Sequence, residues 1–166
     1  MLKYNSTFIK LVFLLFFNIF GLQAQQKFSR RQIQEIKTET LKKVQERHKN
    51  TQVMIDKVFS FAELGFQEYE SSAYLTSILE NAGFKIKKEI SGIPTAWMAR
   101  WSYGEGPVIA LGSDVDCIPK ASQYPGVAYH KPMVEGAPGH GEGHNSGIPV
   151  IISAALALQE QMTSNN

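Results

Sequence analysis

One cysteine, Cys117, occurs in the 166 residues, so the chain has no internal disulfide. A lone thiol beside an apolar run reads as a small core residue. Charge of either sign is in short supply. Lys and Arg number 17 against 15 Asp and Glu, a formal net charge of +2. No basic stripe of the kind that binds nucleic acid is present, so no nucleic-acid partner is expected. Internal repeats and low-complexity segments are lacking too. The N-terminal apolar run, residues 11–22, falls well short of the roughly 20 residues that span a bilayer.

That run has the layout of a cleaved secretory signal. Lys3 and Lys10 supply a positive start, and residues 21–24 form a small-residue end. Cleavage after Ala24 makes residues 1–24 the signal peptide and Gln25 the new terminus. The expected location is secreted or periplasmic, with no stable membrane anchor. Removing the signal deletes two lysines and no acid, which takes the formal charge from +2 to zero. Residues 25–166 are enough for one modest core.

The periodicity runs helix, helix, helix, then strand. Ser29 is placed to cap a largely charged surface helix carrying Ile33, Ile36, Leu41 and Val44. Ile55, Val58, Phe59 and Ala62 share one face of a second helix from about Thr51. Leu75, Ile78, Leu79 and Ala82 repeat that spacing in a third, with Gly83 as a left-handed cap and Glu68 and Glu70 as capping residues. Phe84, Ile86 and Lys88 alternate with Lys85 and Lys87, a half-exposed strand. Residues 95–101 read as a second strand. Residues 108–112 read as a third, central and buried on both faces. Residues 117–147 form a long Pro- and Gly-rich loop, functional or else disordered. Residues 148–158 are apolar on nearly every side, a buried helix capped by Ser146 with Pro149 in its first turn. The fold class is α/β, a partial sandwich.

Two acidic and imidazole-bearing segments carry the chemistry. Gly139-His140-Gly141-Glu142-Gly143-His144-Asn145 sets a carboxylate and an imidazole two residues apart among glycines. The Gly143 bend lets both side chains reach one centre. Oxygen and nitrogen donors suit zinc, and also cobalt, manganese or nickel. Asp114 and Asp116 follow the third strand, at the edge where open α/β sheets bind ligands, and one could bind metal while the other orients a ligand. The plainer readings are a solvated glycine-rich loop and an Asp pair serving a turn or cap. His140 reads as a neighbour rather than a ligand, and His48 and His130 as solvated surface residues.

Three ordered runs resemble a known family. Residues 61–72, Phe-Ala-Glu-Leu-Gly-Phe-Gln-Glu-Tyr-Glu-Ser-Ser, look like the opening signature of the aminoacylase- and carboxypeptidase-type zinc amidohydrolases and metallopeptidases. Ile93-Pro94-Thr95-Ala96 is similar to the same family, as is Gly136-Ala137-Pro138-Gly139-His140-Gly141 running into Gly143-His144-Asn145. The resemblance covers residues 53–158 and is nearest the aminobenzoyl-glutamate hydrolase branch.

The resemblance implies a two-metal hydrolase of amide bonds, with zinc, or alternatively manganese or cobalt. Its substrates would be N-acyl amino acids, aminobenzoyl-glutamate-like molecules or small peptides, and the full-length family is a homodimer. The implied fold is a three-layer sandwich of the zinc-hydrolase catalytic domain with a smaller inserted dimerisation domain. His144 matches a metal-binding histidine, and Glu142 stands where this branch has a metal-binding cysteine. Asp116 matches the acidic residue of the strand-end motif, the catalytic candidate. Asp114 stands where relatives carry His, Asp or Glu, a metal candidate. The family's Glu-Glu motif with its general base, its later ligands and its inserted domain have no counterpart in these residues. The expectation is the N-terminal part of such an enzyme, truncated before the inserted domain and inactive alone. The alternative is a non-catalytic exported module that holds metal or ligand.

Overall fold

The structure, a computed structural model, describes residues 28–164. The signal expected over residues 1–24 lies outside the described residues. Helix α1, Arg30–Glu46, begins where the Ser29 hydroxyl accepts the Gln32 N–H at 3.3 Å, the N-cap that the sequence predicts. None of its residues is buried, as its charged pattern implies. Helix α2, His48–Phe61, starts earlier than the apolar spacing suggests and buries Met54 and Val58.

Helix α3, Tyr69–Asn81, is capped differently from expectation. Both carboxylate oxygens of Glu63 accept backbone N–H groups, from Glu70 at 2.7 Å and Ser71 at 2.9 Å. Those are orphan donors of the first turn. Glu68 instead accepts the Phe66 N–H at 3.0 Å and the Thr95 hydroxyl, tying the turn to the chain ahead of the second strand. At the C-terminus the expectation holds. Gly83 has φ +85°, its N–H bonds to Glu80, and the Phe84 N–H reaches back to Leu79. This is a Schellman motif with glycine in its left-handed position.

The chain then forms a hairpin of β1, Lys85–Lys88, and β2, Trp97–Arg100, paired antiparallel with Lys85 opposite Arg100 and Lys88 opposite Trp97. A 3-10 turn at Ile90–Gly92 joins them. Helix α4, His144–Ser164, closes the described chain. The core joins Met54 and Val58 of α2, Leu75 and Leu79 of α3, and Ile148, Ile152 and Leu156 of α4. Ile86, Trp97 and Ala99 of the hairpin pack against it. Among the described residues the fold is mixed α and β, helices plus one small two-stranded sheet.

Two further expectations fail. Residues 108–112 form no strand, and Val108 and Ile109 are 81% and 82% exposed rather than buried on both faces. A short apolar run signals a buried strand only where neighbours exist to pair with it. Among the described residues none does. The second failure is the start of α4. The helix begins at His144, so Pro149 lies in its interior and costs the bond to the Asn145 carbonyl. Ser146 sits within the first turn, its hydroxyl donating to the Gly143 carbonyl at 2.8 Å. The helix also buries only part of its apolar surface, leaving Val150, Leu158 and Met162 exposed.

These assignments set an order of mutational cost. Leu75 is 0% exposed, so Leu75→Ala should destabilise the protein by about 2–5 kcal/mol in urea titration. Glu63→Ala removes the α3 cap and should cost about 0.5–2 kcal/mol. Leu41→Ala, at a position 69% exposed on α1, should stay within about 0.5 kcal/mol of the parent. Equal losses at Leu41 and Leu75 would contradict the core described above.

Candidate metal centre

The two chemistry-bearing segments meet because the backbone between them is folded back on itself. The Cys117 N–H donates to the Glu63 carbonyl at 2.7 Å, and Leu64 and Cys117 form a parallel bridge. One residue later, Ile118 and Gly139 exchange two hydrogen bonds, each 3.1 Å. The loop between them is ordered by its own bonds. Ser122 donates to the Ala137 carbonyl at 3.0 Å, Tyr124 to Lys131 at 2.8 Å, and the Ser122 hydroxyl accepts the Val134 N–H at 3.1 Å. These bonds make the loop an ordered segment rather than a disordered one.

Gly139 is required at this bridge. A β-carbon there would overlap the Ala121 carbonyl, a backbone group that cannot rotate away. The next residue, His140, turns inward. Its Nε2 lies 3.1 Å from the Val58 carbonyl, and its ring stacks on Phe59. It is a neighbour of the cluster rather than a member, as expected, and His48 and His130 are exposed.

His144 opens α4, and three carboxylates surround it. Its Nδ1 lies 3.0 Å from Asp116 Oδ1. Its Nε2 lies 3.4 Å from Asp114 Oδ1 and 3.4 Å from Glu142 Oε2. Asp114, Asp116 and His144 each offer a donor atom within 4.8 Å of the others, and Glu142 joins through the imidazole. Three of the four sequence candidates thus share one point, and Glu142 reaches only the His144 ring. Gly143, with φ +84°, makes the bend between Glu142 and His144.

The donor chemistry suits a divalent cation. At metal–ligand distances of about 2.0–2.2 Å, neighbouring donors of a tetrahedral shell lie roughly 3.4 Å apart, the spacing Nε2 keeps from two carboxylate oxygens. Asp116 occupies the complementary place, accepting from Nδ1 and so fixing which ring nitrogen is free. Cys117 lies outside the cluster, buried, and burial with the charges of Asp116 and Glu63 pushes its thiol up to about 11. Glu63 was missed as a contributor to this geometry. Its carbonyl anchors Cys117 while its carboxylate caps α3, and no local pattern in residues 61–72 marks a cap acting on residues so far ahead.

The two histidines of the glycine-rich segment are pulled in opposite directions. Burial disfavours the His144 imidazolium, but the Asp116 hydrogen bond and the charges of Asp114, Asp116 and Glu142 outweigh it, and its pKa rises above 6.5. His140 falls below 6.5, chiefly through burial and with help from His144, against the opposing pull of the Val58 carbonyl and Asp116. Imidazole NMR of the metal-free protein should therefore show His144 titrating above 6.5 and His140 below it. The His144 contribution to stability is complete below its unfolded pKa and fades as pH rises through the folded one. That of His140 is present above its unfolded pKa and fades as pH falls. Asp116→Asn should bring His144 down, and an unmoved midpoint would show that their contact is not formed in solution.

Comparison with known proteins finds similar amide-bond hydrolases. No family model matches the chain, and no solved structure matches it. Among curated proteins, a p-aminobenzoyl-glutamate hydrolase subunit of Escherichia coli (strain K12) is 37% identical over 106 residues, 63% of this chain and 22% of the relative. IAA-amino acid hydrolase ILR1-like 2 of Arabidopsis thaliana is 31% identical over 105 residues, 63% of this chain and 23% of that one. N-acetyl-L-cysteine deacetylase of Bacillus subtilis (strain 168) is 28% identical over 107 residues, 63% and 24%. The chain thus spans under a quarter of the length of the curated relatives it matches. Three amide-bond hydrolases are thus similar to most of the described chain, a likeness that supports the N-terminal part of an amidohydrolase and peptidase.

Proposed function

We propose that this chain contributes half of the metal centre of an exported, metal-dependent amidohydrolase. The observation that carries the reading is the convergence of Asp114, Asp116 and Glu142 on the two ring nitrogens of His144. His144 Nε2, Asp114 and Glu142 would hold zinc, or manganese or cobalt, since a glutamate in place of a thiolate is a harder donor. Asp116 would act through His144, holding its Nδ1–H and keeping the ring basic. A bound ion would supply Lewis-acid polarisation of an amide carbonyl or of water. The three relatives suggest substrates with an acyl group on an amino acid, among them aminobenzoyl-glutamate-like molecules and small peptides.

The remaining parts of this reading follow the family. The described helices and hairpin would be one portion of a three-layer sandwich, and the whole enzyme would be a homodimer with two ions per site. Residues 1–24 would direct export. Among the described residues no helix is long and apolar enough to cross a membrane.

Activity needs more than these residues supply. A general base contributes about 10²–10⁴-fold to rate, and none of the four clustered side chains is free for that role. Purified residues 25–166 should therefore bind zinc weakly in calorimetry and lose that binding in His144→Ala. Turnover of N-acyl amino acids and aminobenzoyl-glutamate should be undetectable with zinc or manganese. Tight zinc binding that survives His144→Ala would mean the ligands are wrong. Metal-dependent turnover that Glu142→Ala abolishes would show a complete enzyme within this chain.

Export has its own measurement. N-terminal sequencing of the protein from its native cell should start at Gln25, outside the cytoplasm. Recovery of an intact Met1 terminus in the cytosol would end the export proposal.

A further inference from the structure

The turn between α2 and α3 lies against the metal candidates. Leu64 is bridged to Cys117, and a β-carbon on Gly65 would sit 3.6 Å from Asp116 Oδ2. The next residue, Phe66, is 68% exposed and has φ +66°. A bulky side chain in the left-handed region is an outlier, and strain of that kind gathers at ligand sites. The turn is nonetheless firmly held. The Gln67 N–H donates to the Leu64 carbonyl at 2.9 Å, and the Phe66 N–H to Glu68 Oε1 at 3.0 Å. Glu68 also accepts the Thr95 hydroxyl. A turn that served only to reverse the chain would be less strained with glycine or asparagine at 66. Packing does not account for the ring either. Phe59 stacks on His140, Phe61 meets Tyr74 and Phe84 meets Trp101. Among the described residues no ring or cation lies against Phe66.

We infer that the Phe66 ring is the surface on which the aryl acyl group of an amide substrate stacks, while the amide carbonyl is held at the cluster around His144. The inference rests on the amidohydrolase reading and names its substrate class, N-aroyl rather than N-alkanoyl amino acids. Two aromatic rings attract each other beyond the area they bury, in offset or edge-to-face arrangements that a short alkanoyl chain cannot match. An aryl ring bonded directly to an amide carbonyl lies a few bonds from any ion that polarises that carbonyl. Phe66 is placed for such a ring, one residue from the contact with Asp116. The bonds of Glu68 fix the turn before a ligand arrives, so stacking orders little further backbone. Phe66 takes no part in proton or bond transfer; its role is to select and position the acyl group.

The test titrates p-aminobenzoyl-glutamate and N-acetylglutamate against the chain without added metal, with binding read by saturation-transfer NMR. The aryl ligand should bind the more tightly, with saturation strongest on its ring protons. Phe66→Gly should weaken the aryl ligand by about 3–10-fold, the increment of one aromatic contact. It should leave N-acetylglutamate unchanged and keep or raise the urea midpoint, because glycine takes the left-handed conformation without strain. Phe66→Trp should keep the aryl affinity near that of the parent. No binding of the aryl ligand to the parent, or equal affinity in Phe66→Gly, overturns the inference. So does an equal loss for N-acetylglutamate. A urea midpoint that falls with the affinity overturns it too, since Phe66 would then serve the fold. Zinc calorimetry separates this contact from the metal reading. Phe66→Gly should bind zinc as the parent does, and a loss there would trace the ring effect to the cluster, against the inference. No zinc binding by the parent, with the aryl preference intact, would refute the metal centre and uphold the stacking contact.

Discussion

Two hydrogen bonds between Ile118 and Gly139 hold the chemistry of this protein together. They close the long loop at its neck, so that Asp116 on one side and His144 on the other are delivered to the same place. The neck accepts only glycine at 139, because the Ala121 carbonyl lies where a side chain would be. It is also anchored from below: Cys117 is buried and its N–H is bonded to the Glu63 carbonyl. Glu63 in turn caps α3 with its side chain. A single residue thereby ties the helical core to the neck of the loop, and the position of the cluster depends on the register of α3.

The cluster itself is electrostatically unfinished. Three carboxylates crowd one imidazole, and Asp114 and Glu142 are largely exposed. Like charges so close together are tolerable when a cation sits among them or when His144 is protonated, which is why its pKa rises. Exposed pairs of this kind add little stability in water. The convergence is therefore better explained as provision for a positive charge than as structural support. His140 gives the contrast. It has the same ring in the same glycine-rich segment, but packed on Phe59 and held at the Val58 carbonyl it serves the fold.

Packing follows the same division. Helices α2, α3 and α4 meet through Val58, Leu75 and Ile152 in a small continuous core, with the hairpin laid against it. Beyond that core the apolar residues of the 108–112 run and the outer side of α4 stay exposed among the described residues. That exposed apolar surface lies next to the candidate ligands.

Much of this was legible in the sequence. Helical spacing located α2 and α3, since Val58, Leu75 and Leu79 repeat at the period of a helix face, and Gly83 marked the end of α3 because only glycine takes its left-handed turn without strain. Residue chemistry singled out Asp114, Asp116, Glu142 and His144, because few side chains can hold a cation. Local pattern was silent on what depends on distant partners. It named Glu68 and Glu70 as caps where Glu63 fills that role, since that contact reaches across a turn. It set the start of α4 too late, since the Ser146 hydroxyl is engaged by Gly143 rather than by the helix. It made residues 108–112 a buried strand, because an apolar run records an affinity for neighbours without supplying them. The sequence by itself determined which residues can bend, cap, pack and ligate. Only the tertiary structure decided which of them meet, because the Ile118–Gly139 pairing and the burial of Cys117 bring together backbone that no local period connects.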